Sequence, residues 1–192
     1  MADGSHTLWT QAYDTAGNRG DSAIVTVTAL NAGIDVSGWR IVQANSSYTF
    51  YLPLPTRVPD NGYLVIARSA NRAAFEAFWG VTLGSNVVFV NSGDALPIVN
   101  GDENYTLYNA SGSKVDGRTA SMPSTAGRSF QRKDPCLAAS KSGSWNVLAD
   151  SLATPGRGAA AGCGKGVVIN EFSDASGTGN FVYEFIELHY DR

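Results

Sequence analysis

Charge is in short supply. Of 192 residues only 16% are Asp, Glu, Lys or Arg, against about 25% in an ordinary soluble domain. Lysine is the scarcest of them, present only at Lys114, Lys133, Lys141 and Lys165. The 14 basic and 17 acidic residues give a formal charge of −3 and an isoelectric point near 5.3. The basic footprint that a phosphate backbone demands is missing, which excludes nucleic acid as the expected partner. Long apolar runs are also missing. Stretches such as Val87-Val88-Phe89-Val90 are far below the roughly 20 residues of a membrane-spanning helix. No heptad pattern is present, so a coiled coil is excluded. Met1-Ala2-Asp3-Gly4 has neither the basic start nor the apolar middle of a secretory signal. The expectation is that the chain begins after processing or that Met1 starts an excised segment.

Chemistry-bearing residues are just as sparse. The two cysteines, Cys136 and Cys163, lie 27 positions apart, a spacing no zinc motif uses, and His6 and His189 are far from them in sequence. They read either as a disulfide formed in an oxidising compartment or as two buried thiols. The loop-like flanks Asp134-Pro135-Cys136 and Gly162-Cys163-Gly164 favour the bridge and, with it, a secreted or cell-surface protein. No serine or cysteine sits in a Gly-x-Ser-x-Gly elbow. Glu171, Glu184 and Glu187 could suggest a carboxylate pair, but on a regular strand Glu184 and Glu187 would face opposite sides. Neither catalytic residues nor a cofactor is expected. Asp14, Asn18 and Asp21 could offer oxygens to calcium, yet they lack loop spacing for it and Asx turns account for them, so calcium is not expected.

What the chain does have is β-chemistry. Hydrophobic residues reach 43%, enough for a packed core and too many for a disordered chain. Alternating segments recur at 7–14, 22–30, 39–42, 48–52, 62–67, 87–90, 105–108 and 128–132, with a further strand around Trp145 and Val147. Turn clusters such as Pro59-Asp60-Asn61-Gly62 and Asn109-Ala110-Ser111-Gly112 separate them. One helix interrupts the series, capped by Asn71, built from Arg72 to Trp79 and stopped by Gly80. Residues 157–165 read as a linker. The chain then turns β again over Val167–Phe172 and Phe181–Tyr190, a second hairpin. The predicted fold is all-β, a sandwich with one short helix. Trp39, Trp79, Trp145, Phe75 and Phe78 are expected in the core. Trp9 and Tyr13, four apart on the first hairpin, are candidate interface anchors.

The order of motifs carries two resemblances. Gly33-Ile34-Asp35-Val36-Ser37-Gly38-Trp39, then Leu64-Val65-Ile66-Ala67, the helix, Ser129-Phe130-Gln131-Arg132, Trp145 and Thr154-Pro155-Gly156 resemble a lamin tail domain. This is an immunoglobulin-like sandwich found in lamins and in secreted bacterial proteins. The resemblance implies a non-catalytic fold used for interaction or assembly. Residues 1–30 resemble the last two strands of a bacterial immunoglobulin-like repeat. A lamin tail domain opens with a hairpin of the form Val-Val-Ile-Asn-Glu, loop, Phe-Ile-Glu-Leu. Here those residues stand after the rest, within 164–192.

Three domains or pieces are therefore expected: the hairpin 1–30, the sandwich 31–163 and the hairpin 164–192. The last could complete its own sandwich, that of the next molecule, or a further domain. Its apolar residues Val167, Val168, Ile169, Phe172, Phe181, Tyr183, Phe185, Ile186 and Leu188 are the expected strand-complementation set. The functional expectation is an extracellular structural or adhesive module that joins copies of itself head to tail. An accessory targeting module of a secreted hydrolase or nuclease is the alternative.

Overall fold

The computed structural model describes residues 4–29, 33–100, 102–121, 127–158 and 162–192. It divides into two compact units, 1–32 and 33–192.

The first unit is a long, interrupted hairpin. Strand β1 (Gly4–Leu8) pairs antiparallel with β4 (Val25–Ala29), and β2 (Gln11–Tyr13) with β3 (Arg19–Asp21). The ladder breaks at Trp9 and Thr10, so the spacing of four between Trp9 and Tyr13 does not run along one continuous strand. Asp14 closes the tip: its Oδ1 accepts from the backbone N–H of Ala16 (2.9 Å) and Asn18 (2.8 Å). Asp21 is paired with Arg19 at 2.6 Å. Asp14 thus sits in an Asx turn and Asp21 in an ion pair.

The second unit is an all-β sandwich. Its elements in order are β5 (Ile34–Asp35), β6 (Arg40–Gln43), β7 (Thr49–Tyr51), β8 (Arg57–Val58), β9 (Tyr63–Ala67), α1 (Arg72–Trp79) and β10 (Val87–Asn91). There follow β11 (Tyr105–Tyr108), β12 (Lys114–Gly117), β13 (Arg128–Arg132), β14 (Trp145–Ala149), β15 (Gly166–Ser173) and β16 (Phe185–Asp191). One sheet has the order β10-β9-β16-β15-β13-β14, the other β12-β11-β6-β7, and β5 and β8 make a short separate ribbon. Antiparallel pairing dominates, but β9 and β10 run parallel. A parallel pair needs a long crossover, and α1 supplies it. The Asn71 side chain accepts from the Ala74 N–H at 3.0 Å, and Gly80 ends the helix in the left-handed region (φ 63°) that glycine adopts without strain.

Apolar side chains from both sheets meet in one core. Tyr105, Phe130 and Trp145 pack their rings around Phe172, at centroid separations of 4.9–5.4 Å. A second cluster lies under the helix, where Phe75 meets Phe89 and Phe185 edge-on. Trp145 and Phe75 are buried as expected, whereas Trp39, Trp79 and Phe78 are only partly covered. A buried ion pair bolts the sheets together. Arg132 Nη1 donates to Asp116 Oδ2 at 2.8 Å, and the same oxygen accepts from the Ile169 N–H at 2.9 Å. Strand β12 carries Asp116 but a single large apolar residue, Val115, which is why its pattern does not stand out as a strand.

Candidate functional site

The two terminal hairpins are the candidate joining elements, and the structure treats them in opposite ways. The C-terminal hairpin, β15 and β16, occupies the middle of the six-stranded sheet. Strand β16 pairs with β9 from Phe185↔Ala67 to His189↔Tyr63, while β15 pairs with β13 over Ser129–Gln131. Val167, Val168, Ile169, Phe172, Phe185, Ile186 and Leu188 are all buried. The hairpin therefore folds back on its own sandwich. Passing it to a neighbouring copy would break the ladders on both of its sides. Phe181 and Tyr183 correct the expected strand. They lie in a 3-10 turn (Asn180–Tyr183) ahead of β16, whose spacing of two mimics strand alternation. Phe181 is half exposed, and Tyr183 stacks on Phe78 at 4.1 Å.

The cysteines form the expected bridge. Cys136 and Cys163 are joined, with Cα atoms 6.0 Å apart. Only three positions separate Cys163 from the first residue of β15, so the bridge ties the start of the hairpin to the turn after β13. Asp191 at the other end of the hairpin adds to this. Its Oδ2 accepts from the backbone N–H of Cys163 (3.1 Å) and Lys165 (3.0 Å).

Glu171 and Glu187 face each other across the hairpin and are both fully buried. Together they hold the loop that carries Thr154-Pro155-Gly156. Glu171 accepts from Ser129 Oγ (2.5 Å), from the Thr154 N–H (3.0 Å) and from Thr154 Oγ1 (2.9 Å). Glu187 accepts from the Gly156 N–H (2.5 Å) and Asn170 Nδ2 (2.7 Å). Burial pushes both carboxyl groups above their ordinary range, and the negative charge of Glu171 pushes Glu187 further. The sequence motif signalled this loop, but nothing in strand alternation marks two inward-facing glutamates. His189, also on β16, is buried against Gly62 O at 3.0 Å and stacked on Tyr63, with burial lowering its pKa.

The N-terminal hairpin is the reverse case. Leu8, Trp9, Tyr13, Ile24 and Val25 are each between 48% and 71% exposed. Among the described residues, each strand of the unit pairs with one other strand and no third. A two-stranded ribbon is marginal in water, and this one leaves the rings of Trp9 and Tyr13 exposed. No family model, curated protein or solved structure matches the chain.

Proposed function

We propose that this chain is a non-catalytic, extracellular structural module of the lamin-tail kind, and that its N-terminal hairpin is the element that joins it to its neighbour. In this reading the sandwich of residues 33–192 is the rigid body. The hairpin of one copy adds its strands to the next, so that copies follow head to tail. Such a contact is heterologous and propagates unless it closes into a ring. Strand addition satisfies a row of backbone groups at once and gives side chains such as Trp9 and Tyr13 pockets to fill.

The observation that carries the reading is the asymmetry between the hairpins. The C-terminal one is consumed by its own sheet, whereas the N-terminal one keeps five large apolar side chains in solvent. The disulfide is what supports an oxidising, extracellular setting. The test is native mass across a concentration series for the full chain and for residues 33–192. Concentration-dependent assemblies of the full chain that vanish in the shortened form are expected. A 20.2 kDa species at every concentration would overturn the proposal.

A further inference from the structure

We infer that the cleft between the end of β13 and the loop 154–158 is a binding site for a doubly charged oxyanion of the sulfate or phosphate kind, held by the side chains of Arg157 and Lys133. This would be an activity of the sandwich alone, independent of how the chain joins its neighbours.

The cleft holds about 330 Å³, within the range of small-ligand sites. Its charged lining residues are Arg132, Lys133 and Arg157, joined by the amides of Gln131, Asn146 and Asn170. Among the described residues no carboxyl group lines it. Of the three cations only Arg132 is neutralised, by Asp116 at 2.8 Å. Lys133 Nζ donates to the Gly143 carbonyl at 2.9 Å, a partner without charge. The Arg157 side chain is exposed and has no hydrogen-bond or ion-pair partner among the described residues. Arg132 adds to the shortage of acceptors. Its Nε is the one buried side-chain nitrogen or oxygen among the described residues that lacks a hydrogen bond. Positive charge left without a counter-charge in a concave site draws anions to it.

The loop that carries Arg157 is held still. Glu171 and Glu187 fix its Thr154 and Gly156 N–H groups. The Arg157 N–H donates to Thr154 O at 3.0 Å, and the Arg157 carbonyl accepts from Asn170 Nδ2 at 3.2 Å. A side chain at Gly158 would collide with the Asn170 amide, so the chain lies this close only with glycine there. The backbone is thus pinned around a guanidinium that holds nothing. The buried glutamates do not cancel the charge of the cleft. Glu171 is turned to Ser129 and Thr154, and burial favours the neutral form of both. Charge then selects the ligand. A carboxylate answers one of the two unmatched cations, whereas a sulfate or phosphate group answers both, and its oxygens fit the guanidinium fork.

The experiment titrates the full chain with sodium sulfate, sodium phosphate and a hexose sulfate ester at neutral pH while recording amide proton–nitrogen spectra. Sodium chloride keeps the ionic strength constant, so that general screening does not move the signals. Saturable shifts confined to Gln131–Lys133, Asn146, Thr154–Gly158 and Asn170 are expected, with millimolar dissociation constants. Arg157→Gln should weaken binding about tenfold or more, and Lys133→Gln by a smaller factor. Lys114→Gln, which removes a positive charge outside the cleft, should leave binding unchanged. Arg157 is exposed, so its variant keeps the fold and remains a fair test. Tighter binding of the ester than of the inorganic ions assigns the site to a sulfated or phosphorylated molecule, and equal binding to the free ion; either upholds the oxyanion. Absence of saturable shifts with all three overturns the inference. Shifts that survive Arg157→Gln overturn it as well, as does sodium acetate binding as tightly as sulfate.

Discussion

The molecule contains two β-hairpins of similar length with opposite fates. Residues 4–29 pair with themselves and leave Leu8, Trp9, Tyr13, Ile24 and Val25 exposed, whereas β15 and β16 are flanked by β9 and β13 and bury nearly every strand residue. Both alternate polar and apolar residues, so alternation does not separate them. What separates them is the company each keeps. The buried hairpin carries Glu171, Asn170, Glu187 and Asp191, polar groups with partners waiting in the sandwich. The exposed one carries Asp14, Asn18, Arg19 and Asp21, whose side-chain partners among the described residues lie within the same hairpin. Polar side chains thus record where a hairpin belongs more clearly than apolar ones.

The comparison breaks most sharply at Phe172. Truncating Phe172→Ala empties the meeting point of three rings and should cost about 3–5 kcal/mol in denaturant unfolding. Ile24→Ala on the other hairpin should change the monomer's stability by less than about 0.5 kcal/mol. The bridge comes next. Replacing Cys136 and Cys163 together by serine frees the start of β15 and should remove about 3–4 kcal/mol by the chain-entropy argument. Amide exchange should then rise first along β15 and β16, not in the N-terminal hairpin.

Acid sharpens the contrast further. Burial raises Glu184 to about 7, with Asp174 and Glu103 pushing the same way and Arg68 opposing. Glu171 and Glu187 are raised too. A carboxyl group whose folded pKa exceeds its unfolded one binds more protons when folded between the two values. Stability from Glu184 is therefore gained as pH falls from about 7 toward 4.5 and lost as it rises back, and Glu171 and Glu187 contribute with the same sign. For Glu184 the effect is on the order of 2–3 kcal/mol, and Glu184→Gln should flatten that slope in thermal unfolding. Asp14 and Asp21 in the exposed hairpin are lowered by hydrogen bonds and carry the opposite sign, felt only below about pH 4. The smallest effect on stability belongs to Tyr13→Ser, whose unfolding midpoint should not move while any assembly seen by native mass is lost.

Much of the sandwich was legible beforehand because its strands are short, apolar and bounded by turn residues. Tyr63–Ala67, Val87–Asn91, Tyr105–Tyr108 and Arg128–Arg132 fall where alternation and punctuation place them, as do the helix and its two caps. The misses have physical causes. Ile34–Asp35 and Arg57–Val58 are too short to show a period. Lys114–Gly117 has a single large apolar residue, Val115, and its Asp116 pairs with Arg132, 16 residues on, which alternation does not reveal. Phe181 and Tyr183 share a spacing with strand residues but sit in a 3-10 turn. The cleft beside Arg157 draws on the end of β13, on β14, on the loop 154–158 and on β15. Only the tertiary fold brings those four together.

The sheet order has a consequence for how such a chain is made. Strands β9 and β13 come earlier in sequence than the pair that fills the space between them. During synthesis, Leu64, Ile66 and Phe130 must therefore wait, with two unpaired inner edges beside them, until β15 and β16 have been added. Over that interval the half-made sandwich offers a slot shaped for one hairpin, and its own arrives tethered at high local concentration. Crowding of several nascent chains is the circumstance in which another copy's hairpin could win the race.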